Sequence, residues 1–366
     1  MAAGLTRGRA GPPPVYRLAR PEDLAACTRV WRAGLADYLG RLNADDGLPY
    51  DLGPLHRLLA HLLATDPERF WVAVHPDLRD GRTAAGRSAA ADRSEDGTGR
   101  ADPTAAAGTV ARPGDSAARG DRLVGFGSAV VRGDTWFLAM LFVDPLEQAS
   151  GIGSELLRRT MTDVEGRALG TATDTAQPIG SALYARQGIV PRMPCLHLVG
   201  RPEPPDALPP LPPDLLVAPF DRVAGEAGAT GAEADMLDRA VAAIDRDLLG
   251  YERPTDHAWM QQDGRSGWLY RARDGRPVGY GYTTAVGRIG PVAVLERDLL
   301  LPVVAHLLQA VRPPGASSLW VPGAAGEVIA GLLRARFRLE PFPALVHWTR
   351  PLADFERYLP ISLALV

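Results

Sequence analysis

Apolar residues along this chain come in two kinds of run, and their alternation predicts the elements. "VYRLAR" (15–20) and "FWVAV" (70–74) are short, dense in β-branched and aromatic residues and bounded by proline or charge, as strands are. Between them Leu24, Cys27, Val30, Trp31 and Leu35 recur at helical spacing and predict a helix over 22–39. A second helix is predicted over 55–63, ended by "TDPER". "RLVGFGSAVV" and "TWFLAMLFV", separated by "RGD", predict a β-hairpin. A helix then runs from Ser154 to about Arg167, with Leu156, Leu157, Thr160, Met161 and Val164 on one face. A strand over Gly170 to Asp174, a helix over Ile179 to Arg186 and the strand "CLHLVG" complete the first half.

Two stretches lose the pattern. Residues 79–121 carry no aromatics, mix charges of both signs and show no periodicity, which predicts a disordered insert that cannot bury enough apolar surface to offset its ordering. "RPEPPDALPPLPPD" (201–214) holds seven prolines and is expected to be an extended linker at the domain boundary. The second half repeats the element order of the first. "GWLYRARDGRPVGYGYTTAVGRIGPVAV" predicts hairpin strands, "DLLLPVVAHLLQAV" a helix, "SSLWVPG" a strand and "GEVIAGLLRARFRLE" a helix running into a strand.

With 366 residues and 46% hydrophobic content, the chain is long enough for two cores, expected at 15–200 and 215–366. No run approaches the apolar length of a membrane helix, and the N-terminus lacks the apolar core of a secretory signal. Two cysteines, Cys27 and Cys195, make no disulfide framework, so a cytoplasmic setting is expected. A net charge of −3 without a basic stripe argues against nucleic acid as a partner, and no membrane partner is expected. All 40 basic residues are arginine, which excludes Schiff-base catalysis and a P-loop lysine. The histidines are scattered, His56 and His61 would not share a helix face well, and no metal site is expected.

Candidate chemistry centres on "LFVDPLEQASGIGSELL", where an apolar strand hands over to a helix through Gly151 and Gly153. Glycines let backbone N–H groups approach a ligand closely, and a helix N-terminus favours phosphate oxygens. The same residues also read as a tightly packed helix entrance, or as a dinucleotide turn with Asp174 set to meet a ribose. Against the dinucleotide reading, Leu156 stands at the third glycine position and the turn follows antiparallel strands.

The stretch resembles the acyl-CoA-binding motif of the GNAT superfamily of N-acetyltransferases: Val143 and Pro145 match its valine-x-proline, and Gln148, Gly151 and Gly153 its (Gln/Arg)-x-x-Gly-x-(Gly/Ala). "AQPIGSALYARQGIV" is similar to the family's later helix through Ala182, Leu183, Tyr184 and Gly188, with Ile189 in place of the usual phenylalanine. The resemblance implies an α+β fold of two GNAT-like domains, each a mixed, mostly antiparallel sheet flanked by helices. The second would be degenerate, since "VAVLERDLL" has no glycine turn and Leu332 is the counterpart of Tyr184.

It also implies acyl transfer from acetyl-CoA to a primary amine of a small molecule or peptide. Gln148, Ala149, Ser150, Gly151, Ile152 and Gly153 would cradle the pyrophosphate through the main chain, with the Ser154 hydroxyl added. Leu141, Phe142 and Val143 would bind the pantetheine arm. Tyr184 is the candidate general acid; a ring merely packed under the cofactor fits the same position. The strand "WFLAMLFV" brings no carboxylate, so the general base is undefined, with a water relay or a second-domain carboxylate left open. That lack keeps a non-catalytic acyl-CoA-binding sensor as the alternative, with a nucleotide-binding oxidoreductase as a weaker third reading. Homo-oligomerisation is left open. In the second half, Asp245, Asp247, Glu252 and Arg253 read as the solvated face of a helix end rather than a substrate cluster, and Tyr280 and Tyr282 as core.

Overall fold

Apolar strands need covering layers, and here the layers are shared between the two halves of the chain. The computed structural model describes residues 13–42, 51–76, 121–221 and 232–366. Apart from Asp121, the expected disordered insert lies outside the described residues. The first half contains β1 (Val15–Leu18), α1 (Leu24–Arg41), α2 (Gly53–Thr65), β2 (Phe70–His75), β3 (Arg122–Arg132) and β4 (Thr135–Val143). It continues with α3 (Ile152–Thr160), β5 (Ala168–Asp174), α4 (Pro178–Ala185) and β6 (Val190–Gly200). The second half contains β7 (Leu216–Pro219), α5 (Ala232–Leu249), α6 (Pro254–Gln262), β8 (Arg265–Arg271), β9 (Pro277–Thr284) and β10 (Ile289–Val294). After these come α7 (Leu300–Ala310), β11 (Ser317–Pro322), α8 (Gly326–Arg334), β12 (Arg338–Leu339), β13 (Ala344–Trp348) and β14 (Tyr358–Leu359).

Among the described residues, one sheet runs β1-β2-β3-β4-β5-β13-β6-β11, with β12 also on β6, and the other runs β14-β10-β9-β8-β7. Both are flanked by helices, as expected. Strand β13 from the far end of the chain lies antiparallel between β5 and β6, so the first sheet is completed by the second half. In exchange β6 carries β11. The parallel pairing in the first sheet is β4 with β5. The pairings within the second sheet are antiparallel, and its parallel contact with β11 shrinks to one bridge, Arg288 with Ser318.

Helix α3 is shorter than its apolar pattern suggests. Its last turn is closed from outside, where the Trp136 indole donates to the Thr160 carbonyl at 3.1 Å and Asp163 takes a positive φ. The proline-rich segment is not a free tether. Arg201 donates to the carbonyls of Pro313, Pro314 and Gly315, and Leu208 is buried in the second half's core.

The charged cluster at the end of α5 is buried rather than solvated. Arg253 donates to Asp245 at 3.1 Å and to the hydroxyls of Tyr358 and Tyr280 at 2.8 Å each, while His257 contacts Asp245 at 2.7 Å. Asp247 and Glu252 stay outside, paired with Arg357 and Arg246. A second buried chain crosses between the halves: Arg132 on β3 bridges Asp66 and Asp256, each at 2.8 Å, and His61 on α2 meets Asp256 at 2.7 Å. Burial opposes ionisation of Asp256, yet hydrogen bonds from His61 and Arg132 hold its carboxyl well below the ordinary carboxylate range.

Candidate active site

The site begins where two parallel strands part. β4 and β5 pair only from Thr135–Ala168 to Leu138–Thr171. At that vertex the Thr171 hydroxyl donates to the Leu138 carbonyl at 3.0 Å. A bulge against β3 between Ser128 and Ala129 bends β4 at this level. Beyond it Ala139–Val143 have no strand partner on the β5 side, because β5 turns to β13 instead. Five residues of free strand edge, roughly 17 Å at about 3.3 Å per residue, therefore face a cleft of about 1120 Å³.

At the open end of this edge sits the glycine turn. Ala149 has φ 61° and Gly151, the N-cap of α3, has φ 91°, a conformation glycine adopts without cost. No protein acceptor for the backbone N–H groups of Gln148 to Ser154 is found among the described residues, so these donors converge free at the helix N-terminus. Gly125 and Gly127 on β3 let α3 lie close: a Cβ on Gly125 would come within 3.1 Å of Leu156 and 3.2 Å of Ile152.

The sequence-derived residues come together here. Leu141, Phe142, Val143, Gln148, Ala149, Gly151, Ile152, Gly153 and Ser154 line the cleft. Gln148 donates its side-chain amide to the Val143 carbonyl at 3.4 Å. Ser150 belongs to the turn, but its hydroxyl donates to the Glu147 carbonyl and it is not part of the lining. The side chain of Ile152 is buried as the first anchor of α3.

Tyr184 lies on the α3/α4 face of the sheet, packed with Trp136, Leu138, Leu157 and Ile189. Burial pushes its phenol well above the usual tyrosine range, so it stays protonated at neutral pH. His347 of β13 meets its ring edge-on at 6.0 Å and reaches the Ser181 hydroxyl at 3.3 Å, so a strand from the second half helps seat it.

The opposite face of the same cleft holds residues that sequence reasoning missed. Asp174, weighed only as a ribose partner, ends β5 on the α1 side, and burial pushes its carboxyl up to about 6. Tyr38 of α1 has a buried hydroxyl with no hydrogen-bond partner, and burial together with the Asp174 charge pushes it up to about 12. Register places Asp174, Ala344, Cys195, His197 and Trp320 on one sheet face. His197 stacks on Trp320 at 4.5 Å, and burial with the nearby Arg288 lowers it to about 4. The only signal for Asp174 in the sequence is a lone acid ending an apolar strand; Tyr38 and His197 had none, and Trp320 comes from the second half. Among the described residues no group of three or more metal-ligating side chains occurs.

Residues 92–189 match the acetyltransferase (GNAT) family. The chain matches that family over this segment. Its fold is similar to that of a putative acetyltransferase from Pyrococcus horikoshii, at 12% identity and TM-score 0.63, covering 100% of each chain. A GCN5-related N-acetyltransferase from Sphaerobacter thermophilus is similar at 14% identity and TM-score 0.50, over 94% of this chain and 98% of that one. At such identities the likeness is one of fold. No curated protein matches the sequence.

The internal repeat is visible in hydrogen bonds as well as in element order. In the matched segment Ile189 N–H donates to the Tyr184 carbonyl at 3.1 Å after Gly188 at φ 77°. In the second half Phe337 N–H donates to the Leu332 carbonyl at 3.0 Å after Arg336 at φ 70°. The turn survives, but the tyrosine is a fully buried leucine, and α7 follows a 3-10 turn at Arg297–Leu299 with no glycine N-cap.

Proposed function

We propose that this protein is an acyl-CoA-dependent N-acyltransferase that moves an acetyl group from acetyl-CoA to a primary amine of a small molecule or peptide. The observation that carries this is the unpaired edge of β4, open from Ala139 to Val143 and leading straight into seven free amides at the head of α3. An extended amide-bearing arm can hydrogen-bond along that edge as a missing strand would, and a pyrophosphate can sit on Gln148–Ser154. The thioester then lies near the vertex, between Tyr184 on one face and Asp174 on the other.

In this reading the amine nitrogen attacks the thioester carbonyl carbon, the C–S bond breaks, Asp174 takes the amine proton and Tyr184 protonates the departing thiolate. Burial suits both roles, raising Asp174 far enough to accept a proton near neutral pH and keeping Tyr184 protonated. One such site per chain is proposed, within residues 15–200, with the second half walling the acceptor side. The test is calorimetry with acetyl-CoA, CoA and NAD, followed by thiol release over a panel of amines. CoA binding with turnover supports the proposal, CoA binding without turnover on any amine leaves a sensor, and absence of CoA binding ends both.

A further inference from the structure

Resting on the acyltransferase reading, the acceptor side of the cleft carries a second message. The second half contributes two arginines to its wall, Arg265 at the start of β8 and Arg288 before β10. Arg265 is largely buried. Its Nη1 donates to the Gly290 carbonyl at 2.9 Å, and its buried Nε has no partner. Among the described residues neither arginine has a carboxylate within ion-pair distance. The nearest acid to Arg265 in sequence, Asp263, is held by Arg57 of α2. His197 beside Arg288 is neutral at pH 7 and lies flat on Trp320.

A buried, unpaired guanidinium is costly unless something supplies the counter-charge. Burial, with the nearby Arg288 charge, lowers Arg265 to about 10 despite the pull of Asp263. With Asp263 shared with Arg57, the two arginines leave this end of the cleft net positive, while the other end holds the Asp174 carboxylate. A simple cationic amine would be repelled at the first end. An amine that also carries an oxyanion satisfies both ends, its nitrogen toward Asp174 and its anion on the arginines.

We infer that the acceptor is a small amine bearing a carboxylate or phosphate group, held through that oxyanion by Arg265 and Arg288. Arginine suits this because its planar fork pairs with either oxyanion in two parallel hydrogen bonds.

The experiment compares matched acceptors with the full chain: phenylalanine against phenethylamine, and O-phosphoethanolamine against ethanolamine. Thiol release gives kcat and KM, and calorimetry in the presence of CoA gives affinity independently of turnover. The expected result is at least tenfold lower KM and tighter binding for one anionic member, the better pair telling carboxylate from phosphate. In Arg265→Gln that preference collapses while the KM for acetyl-CoA stays the same. Arg288→Gln, at an exposed side chain, gives a smaller loss of the same sign and serves if the first variant does not fold. Equal or better use of the amines that lack an oxyanion overturns the inference and leaves acyl transfer standing. A rise in acetyl-CoA KM in place of acceptor KM in Arg265→Gln also overturns it, because the arginine would then hold the cofactor. If nothing turns over but the anionic members bind wild type and not Arg265→Gln, the oxyanion site stands and the acyltransferase reading falls.

Discussion

At Asp174 a single carboxyl sits at the end of a strand, too buried to ionise at its usual pH and too near Tyr38 to be ignored. Its protonated form cannot accept the amine proton, so kcat/KM is expected to rise with pH through about 6 and to fall on the acid side. Asp174→Asn should remove that limb and lower kcat by about 10²–10⁴ with little change in acetyl-CoA affinity, read from the pH profile together with calorimetry. A limb that persists in the variant assigns the base elsewhere. Tyr184→Phe keeps the packing against Trp136 and Leu157 and removes the proton. Steady-state assays are expected to show a loss in kcat of about 10²-fold with KM for acetyl-CoA held. Unchanged turnover would leave the ring as packing alone. The difference between the two residues is instructive. Tyr184 could be found because it belongs to a motif, whereas the "TATD" ending of β5 looks like any strand end until the surrounding helices bury it.

The glycine turn and α3 act as one element. Leu156 and Leu157 fix the helix to the sheet, and Gly151 holds the left-handed conformation that aims the free amides outward. A side chain at Gly151 meets no neighbour within 4 Å, so Gly151→Val costs through backbone strain, about 1–3 kcal/mol, rather than through a clash. The turn is expected to relax out of its cradle shape. Acetyl-CoA affinity should fall at least tenfold by calorimetry while the circular dichroism spectrum stays native, and unaltered affinity would refute the cradle. The second copy of this element explains why one site is proposed per chain. There α7 starts from a 3-10 turn, with Leu299 and Leu300 buried where the first copy leaves its amides open.

Across the whole molecule the halves depend on one another. Residues 1–200 alone would lack β13, leaving β5 and β6 unpaired along their inner edges and Tyr184 without His347. Such a fragment is expected to aggregate or stay unfolded, as amide dispersion in a proton–nitrogen spectrum would show. Asp256 ties the halves together through Arg132 and His61. Asp256→Ala leaves the Arg132 guanidinium half-compensated in a buried setting and should cost about 3–5 kcal/mol by denaturant titration. Because this carboxyl titrates below its unfolded value, its contribution is complete at neutral pH and is lost as pH falls below about 4, adding to acid unfolding.

Local pattern and motif carried much of this protein. Helical spacing in α1, the hairpin of β3 and β4, the handover at Val143–Gly153 and the tyrosine helix are all set by neighbours within a few residues, where backbone preference and periodicity act. The repeat of element order in the second half was legible for the same reason. Partnering across the chain was not. Which strand lies beside β5, whether Asp245 and Arg253 face solvent or each other, and which arginines meet Asp174 across one cleft depend on contacts more than a hundred residues apart or on burial by distant helices. The sequence by itself therefore determined the strand, the two glycines and the helix start on which a cofactor is proposed to sit, because those need only local pattern. The tertiary structure decided what faces it, because a charge placed by a distant strand acquires its chemistry from the surface that buries it.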